Sequence, residues 1–377
     1  MNLFIKIVIP ALFLSFVVCA QSSGSPKATS KEYELGNKRL RGELLTPDEE
    51  KILKEIVTKR TEPYAKDHPA RESIGLIPLT DLGNGTYQGQ QGGLFPGGAN
   101  VPPPGHLQAG LKAARKVVPR DADGRESKDG KIVLLSIGMS NASAEFQLFV
   151  RHRAKEPGLN PRLLTIDGAL GGPTSLLRSF SGGTPEHPKL SPQQEASYFK
   201  TVDERLSAAG VTPKQVQVVW MKYAYGQPTR PFPAEPKKLQ GLLVQVLQTL
   251  KQRFPNLEIA YLSSRSYGGY VRVSTSPEPH AYETGFAVKW LIADQIAGSP
   301  ELNYDAAKGP VLSPWVTWGP YLWADGVKGR KDGLVYLRDD YVEDGTHPSM
   351  SGGEKITKLL MDFLKTDPTA RPWFVAH

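Results

Sequence analysis

Three residue types that together activate a hydroxyl group stand next to segments that read as elements of an α/β sheet. Ser140 follows the apolar run 132–137, and a short segment about 200 residues later carries Asp344 and His347. A serine hydroxyl becomes a strong nucleophile when an imidazole takes its proton and a carboxylate fixes the tautomer of that imidazole. The residues therefore predict Ser140 as nucleophile, His347 as its base and Asp344 as the group that orients His347.

Such a reaction develops negative charge on an oxygen, which needs two or three donors aimed at it. We expect the backbone N–H groups of Ser140 and Gly171 to act as donors, because glycine lets the backbone approach a substrate closely. Lys222, at the end of another apolar run, could add a cationic donor. The alternative is an ordinary lysine whose ammonium reaches solvent.

The elements that must position these residues alternate along the chain. Apolar runs of strand length are 132–137, 162–167, 216–221 and 257–262, and helical patterns are 46–57, 106–117, 191–206, 236–254, 281–296 and 353–364. Continuous apolar strands separated by helices indicate a parallel sheet that is covered on both faces. We predict an α/β fold, a three-layer α/β/α sandwich of the flavodoxin-like kind with a central parallel sheet.

In such a sheet the loops at the carboxyl ends of the strands build the site. We therefore take Asn141, Gly172, Arg265 and Tyr267 as candidate substrate contacts, since each follows an apolar run. For Asn141 the alternative is a residue that caps the helix starting there.

Two of these segments resemble the SGNH (GDSL-like) hydrolase superfamily closely. Residues 138–141 match its nucleophile block, with Met139 where aspartate is common, and residues 344–348 match its last block, Asp-x-x-His followed by proline. The resemblance covers about residues 130 to 365. It implies the same sandwich fold, the roles given above for Ser140 and His347, and no cofactor.

The two middle blocks are weaker. Residues 168–174 resemble the Gly-Gly-Thr form of sialate O-acetylesterase-like and acetylxylan esterase-like members. Residues 220–224 resemble the Trp-x-Gln-Gly-Glu form of the same esterases, with Lys222 in the place of glutamine. The resemblance thus implies a carbohydrate esterase.

The N-terminus has the form of a secretory signal peptide. Residues 2–20 hold one lysine and a long apolar run, and Ala20 ends a small-residue cleavage site. We expect cleavage after Ala20, a secreted or periplasmic protein, and no stable membrane span afterwards; an uncleaved anchor is the alternative. Residues 21–130 form an N-terminal extension, with a Thr46-capped helix and a Gly/Pro-rich loop, packed on the hydrolase domain 131–377.

Charge and residue composition argue against two kinds of partner, nucleic acids and metal ions. The formal charge is +8, but no basic block is interleaved with aromatic residues, so we expect a solvated basic surface and no nucleic-acid partner. Cys19 is the only cysteine, and no histidine pair has metal-ligand spacing. We therefore expect no metal, and His106 and His280 are interpreted as structural.

These observations together predict an exported serine esterase that hydrolyses carboxylic esters through an acyl-enzyme. The substrate would be a small-molecule or polysaccharide ester, and the resemblance favours O-acetyl groups on carbohydrate. The alternatives are a lipid or simple carboxylester hydrolase, and a non-catalytic glycan-binding protein on a hydrolase fold. The oligomeric state is not indicated.

Overall fold

The computed structural model describes residues 29–376, with gaps at 41–42, 172–174, 177–181, 184–187, 190 and 225. The signal peptide expected at residues 1–20 and the candidate contact Gly172 lie outside the described residues.

The elements follow one another in chain order. The helices are α1 (Ser30–Leu40), α2 (Pro47–Asp67), α3 (Leu79–Leu82), α4 (Pro104–Arg115), α5 (Ser140–Arg153), α6 (Pro192–Ala208), α7 (Ala234–Arg253), α8 (His280–Ile296), α9 (Met350–Thr366) and α10 (Arg371–Phe374). The strands are β1 (Thr86–Tyr87), β2 (Gln90–Gln91), β3 (Ile132–Gly138), β4 (Leu163–Asp167), β5 (Gly182–Gly183), β6 (Pro188–Lys189), β7 (Val216–Lys222), β8 (Ile259–Ser263) and β9 (Trp315–Trp318). Each predicted strand and helix has a counterpart that begins within a few residues of its predicted start.

The central sheet has five strands in the order β4-β3-β7-β8-β9. All four neighbouring pairs are parallel. Such strands need crossover connections, and the helices supply them. The prediction of an α/β/α sandwich around a parallel sheet is therefore confirmed, with β9 as a strand that the sequence did not predict.

Side chains alternate between two cores, one on each face of the sheet, because neighbouring residues of a strand point to opposite faces. On one face, Leu134, Trp220 and Tyr261 pack with residues of α4, α5, α9 and α10. On the other face, Leu135 and Leu262 pack with residues of α6, α7 and α8. Both faces of the sheet are thus buried. Polar groups of the sheet can reach solvent at the ends of the strands.

The N-terminal helices form a small separate cluster. Thr46 caps α2 and exchanges two hydrogen bonds with Glu49, which is a complete capping box. Leu53 and Val57 are buried in this cluster with Leu35 of α1. Ile52 of the same helix is exposed.

The chain between α2 and α3 is bonded directly to the rest of the molecule. The carboxylate of Asp325 accepts hydrogen bonds from the Ser73 hydroxyl and from the N–H groups of Ile74 and Gly75, at 2.7, 2.7 and 3.0 Å. A buried carboxylate is stabilised by such donors, so this segment is an integral part of the fold.

The Gly-rich stretch at residues 83–105 is ordered by contacts with the sheet and with α8. It contains the β1–β2 hairpin, and the Trp318 indole N–H donates to the carbonyl of Leu94 at 2.7 Å. The ammonium group of Lys289 on α8 donates hydrogen bonds to the carbonyls of Gln91 and Gly92. The loop is therefore a packed part of the molecule.

Candidate active site

The position of Ser140 follows from the topology of the sheet. β3 ends at Gly138, and α5 begins with Ser140. After β3 the chain forms β4 on one side of it and later β7 on the other side, so the carboxyl end of β3 is the topological switch point. Open α/β sheets bind their ligands at this point.

Ser140, His347 and Asp344 form one continuous chain of hydrogen bonds. The Oγ of Ser140 lies 2.8 Å from Nε2 of His347, and Nδ1 of His347 lies 2.7 Å from Oδ2 of Asp344. A carboxylate can only accept, so Nδ1 carries the proton and Nε2 is free to accept the serine hydroxyl. The His347 side chain is 24% exposed, which leaves the pair within reach of a substrate.

The carboxylate of Asp344 also builds the turn that carries His347. Its Oδ1 accepts the N–H groups of Thr346 at 2.8 Å and of His347 at 3.0 Å. Burial raises the pKa of Asp344, but the charge of His347 and these hydrogen bonds outweigh burial and hold the pKa well below its usual range. Asp344 therefore stays ionised and fixes the orientation in which the imidazole of His347 faces Ser140.

Gly345 lets this turn pack against the loop that follows β8. Its φ is +67°, in the left-handed region, and a Cβ there would lie 1.8 Å from the carbonyl oxygen of Tyr270. The N–H of Arg272 donates to the carbonyl of Asp344 at 2.9 Å. A glycine is required at this position both for its conformation and for the close contact.

Gly171 lies directly beside the nucleophile. A Cβ on Gly171 would lie 2.6 Å from Cβ and 3.1 Å from the backbone nitrogen of Ser140. Any larger residue at position 171 would displace Ser140. The loop after β4 therefore packs directly against the first residue of α5, with no side chain between them. The first N–H groups of a helix have no intrahelical partner and carry partial positive charge, and Ser140 stands at that position in α5.

Lys222 has a different partner from the one expected. Its ammonium lies 2.5 and 2.6 Å from the two carboxylate oxygens of Glu145 on α5, and both side chains are 2% exposed. Burial lowers the pKa of Lys222 and raises the pKa of Glu145, and the attraction between them opposes both shifts. The ammonium of Lys222 therefore does not reach solvent but forms a buried ion pair, and its use as an oxyanion donor stays a prediction.

The remaining candidates are also buried. Tyr267 is fully buried, and its hydroxyl donates to the carbonyl of Arg71 at 2.8 Å, so this residue holds the N-terminal segment. Asn141 is the second residue of α5, and its Oδ1 accepts the N–H of Ala142 at 2.9 Å; the N-cap of α5 is Met139, without a side-chain cap hydrogen bond, so the capping alternative for Asn141 is wrong. Arg265 is 2% exposed, and burial lowers the pKa of its guanidinium.

The sequence reasoning gave no role to Glu145 or Asp167. Asp167 ends an apolar strand and Glu145 lies between Ala144 and Phe146 on α5, and an acidic residue in such a place is the signal that could have identified them. Acidic side chains are almost never fully buried unless they are paired. Glu145 pairs with Lys222, and Asp167 is bonded to several neighbours of Ser140.

No group of three or more His, Cys, Asp or Glu is placed to hold a metal ion within the described residues. Among the helices of that same part of the chain, none is both long enough and apolar enough to cross a membrane.

Comparison of the chain with models of known protein families gave no match, and comparison with curated proteins gave none either.

Proposed function

We propose that this chain is an exported serine esterase that hydrolyses carboxylic esters, with O-acetyl groups on carbohydrate as its substrate class. The observation that carries the proposal is the hydrogen-bonded chain from Ser140 through His347 to Asp344 at the switch point of the sheet. The three residues are arranged as a nucleophile, a base and a carboxylate that orients the base. Catalytic triads on unrelated folds are recognised by this arrangement.

The reaction begins with attack of Ser140 Oγ on the ester carbonyl carbon. His347 takes the hydroxyl proton at Nε2 and then gives it to the departing alcohol oxygen. A water molecule next attacks the acyl-serine, again with His347 taking its proton, and the acid product leaves as Ser140 Oγ recovers its hydrogen. Asp344 stabilises the imidazolium in both halves without itself gaining a proton.

The tetrahedral oxygen formed in each half-reaction would lie between the N-terminus of α5 and the loop that carries Gly171. The two residues are so close that a Cβ added to Gly171 would lie 3.1 Å from the backbone nitrogen of Ser140. A preorganised pocket of this kind is worth several kcal/mol to the transition state. The ammonium of Lys222 is paired with Glu145, so the proposal needs no oxyanion donor beyond the two backbone groups.

The choice of acetylated carbohydrate rests on the resemblance of residues 168–174 and 220–224 to carbohydrate acetylesterases. Export rests on the signal-like residues 2–20. Both statements concern the substrate and the compartment, and neither alters the chemistry proposed for Ser140.

Hydrolysis of p-nitrophenyl acetate by the purified chain tests the chemistry. We expect turnover that is lost in Ser140→Ala and kept in Ser197→Ala, a matched change of an exposed serine on α6. Release of acetate from a panel of O-acetylated glycans then tests the substrate class. Turnover that survives in Ser140→Ala would contradict the proposal.

A further inference from the structure

The polar cluster around Asp167 lies behind the nucleophile and takes no direct part in the proposed reaction. Asp167 is the last residue of β4, next to β3 in the sheet. Its side chain is 10% exposed, and it bonds to two separate parts of the site.

The first set of bonds goes to the helix that carries the nucleophile. Oδ2 of Asp167 accepts the Ser143 hydroxyl at 2.5 Å and the Gln147 amide at 3.1 Å. Both donors stand on α5, whose first residue is Ser140. The carboxylate therefore fixes the first two turns of this helix relative to β4.

The second set goes to Ser136 on β3 and to the loop that begins directly after β4. Oδ1 of Asp167 accepts the N–H of Ala169 at 3.1 Å and the hydroxyl of Ser136 at 2.6 Å. Arg205 donates to the carbonyls of Asp167 and Ala169 at 2.6 and 3.3 Å. The hydroxyl of Tyr198 donates to the carbonyl of Gly168 at 2.8 Å.

This loop then passes to Gly171, which lies against Ser140. One carboxylate thus joins the helix of the nucleophile to the loop of the second proposed oxyanion group. We infer that Asp167 is a positioning residue that sets the distance between Ser140 and Gly171, with Arg205 as its partner on α6. The inference rests on the proposed function, because the distance matters only if an oxyanion forms there.

Stabilisation of an oxyanion depends steeply on geometry, because the donors must aim at the tetrahedral oxygen and not at the carbonyl of the ground state. A small shift of the loop therefore weakens transition-state binding and leaves substrate binding nearly unchanged. The variant Asp167→Asn produces such a shift. Its amide group would turn a donor toward Gln147, which is itself a donor, and it would remove the charge that faces Arg205.

The test compares Asp167→Asn with the wild-type chain in p-nitrophenyl acetate hydrolysis and in inhibition by benzeneboronic acid, which forms a tetrahedral adduct with a serine. We expect kcat to fall by about 10- to 100-fold with KM changed less than about twofold, since complete loss of one donor costs about 10²–10³-fold. The inhibition constant of the boronic acid should rise by a similar factor. A purely structural role would not move the inhibition constant and kcat together while sparing KM.

Asp325→Asn is the matched control, because Asp325 is a buried aspartate that also accepts several hydrogen bonds, but its donors lie on the N-terminal segment at Ser73, Ile74 and Gly75. It should lower the melting temperature and leave kcat within about twofold. If Asp167→Asn does not fold, Ser143→Ala removes a single donor to the same carboxylate. We expect that variant to show a smaller fall in kcat with the same split between kcat and KM.

An Asp167→Asn chain that folds and turns over at the wild-type rate would overturn the inference, as would a rise in KM at constant kcat. A fall in kcat equal to that of Asp325→Asn would also overturn it. None of these results would affect the proposed function, because the wild-type chain would still show Ser140-dependent turnover. Absence of Ser140-dependent turnover in the wild-type chain would overturn both the inference and the proposed function.

Discussion

At the scale of single residues, the carboxylate of Asp344 has two tasks. One oxygen holds the turn through Thr346 and His347, and the other orients the imidazole. The same group therefore fixes both where His347 lies and which nitrogen carries its proton, and its replacement should affect rate and stability in separable ways.

Asp344→Asn should lower kcat on p-nitrophenyl acetate by about 10³–10⁴-fold, because an amide can hold the wrong tautomer of the imidazole. Steady-state kinetics with the purified variant measure this. A fall of less than tenfold would contradict the assigned role.

The stability difference between the wild-type chain and Asp344→Asn should depend on pH. The pKa of Asp344 is lowered in the fold, so its stabilisation is full above the unfolded value of about 3.9 and is lost as pH falls toward the folded pKa. Urea unfolding of both chains between pH 3 and pH 7 tests this. A difference that grows on acidification would contradict the account.

The pair of Lys222 and Glu145 offers a second prediction at this scale. Lys222→Met should destabilise the fold by about 3–5 kcal/mol, because it leaves Glu145 as an unpaired buried charge. The double variant Lys222→Met with Glu145→Leu should regain most of that loss, since apolar residues can replace a buried ion pair.

Turnover of the double variant separates the two readings of Lys222. A structural pair predicts activity within about tenfold of the wild-type chain, whereas an oxyanion donor predicts a loss of about 10²–10³-fold. A loss of the larger size in a well-folded double variant would restore the original expectation for Lys222.

At the scale of elements, the loop that follows β8 joins three parts of the molecule. Glu278 accepts the N–H groups of Gly268 and Tyr282 at 2.7 and 3.1 Å and the indole N–H of Trp323 at 2.7 Å. Burial raises the pKa of Glu278 to about 7, even though these hydrogen bonds and Arg265 act to lower it. The loop that supports the Asp344 turn is thus tied to a group that titrates near neutrality.

Stability should therefore fall as pH rises from the unfolded pKa of Glu278, about 4.3, through about 7. The folded state holds a proton that the unfolded state has already released, and the total change is on the order of 4 kcal/mol. Glu278→Gln should flatten this slope in urea unfolding between pH 5 and pH 8. An equally steep slope in the variant would show that another group causes it.

The elements that the sequence predicted well are those with long regular patterns. β3 and α7 were found within a few residues because β3 is a continuous apolar run and α7 has a strong helical apolar periodicity. β9 was missed because it has only four residues, Trp315–Trp318, and lies between prolines. The partner of Lys222 was missed because Glu145 lies 77 residues away, and pairing at that distance depends on the register of β3 with β7.

At the scale of the whole molecule, α1 and α2 form a cluster apart from the two cores of the sandwich. Thr61 of α2 accepts a hydrogen bond from the Arg272 side chain at 3.3 Å. The segment at residues 71–77, by contrast, is bonded to Asp325 and to the loop that follows β8.

Two N-terminal truncations should therefore differ in stability. A chain that starts at residue 69 should fold and keep turnover within about threefold, because the removed helices have their own small cluster. A chain that starts at residue 78 should be much less stable, since the donors to Asp325 are gone. Melting temperature and p-nitrophenyl acetate turnover measure both, and equal stability of the two chains would contradict this division.

The central claim is that His347 activates Ser140 as a nucleophile, and covalent labelling tests it most directly. The wild-type chain is treated with a p-nitrophenyl alkylphosphonate, and the modified residue is identified by peptide mass spectrometry, with His347→Ala as the comparison. We predict one adduct per chain, on Ser140, formed at least about 10³-fold more slowly in His347→Ala. An adduct on another residue, or equal labelling of Ser140 in both chains, would contradict the account.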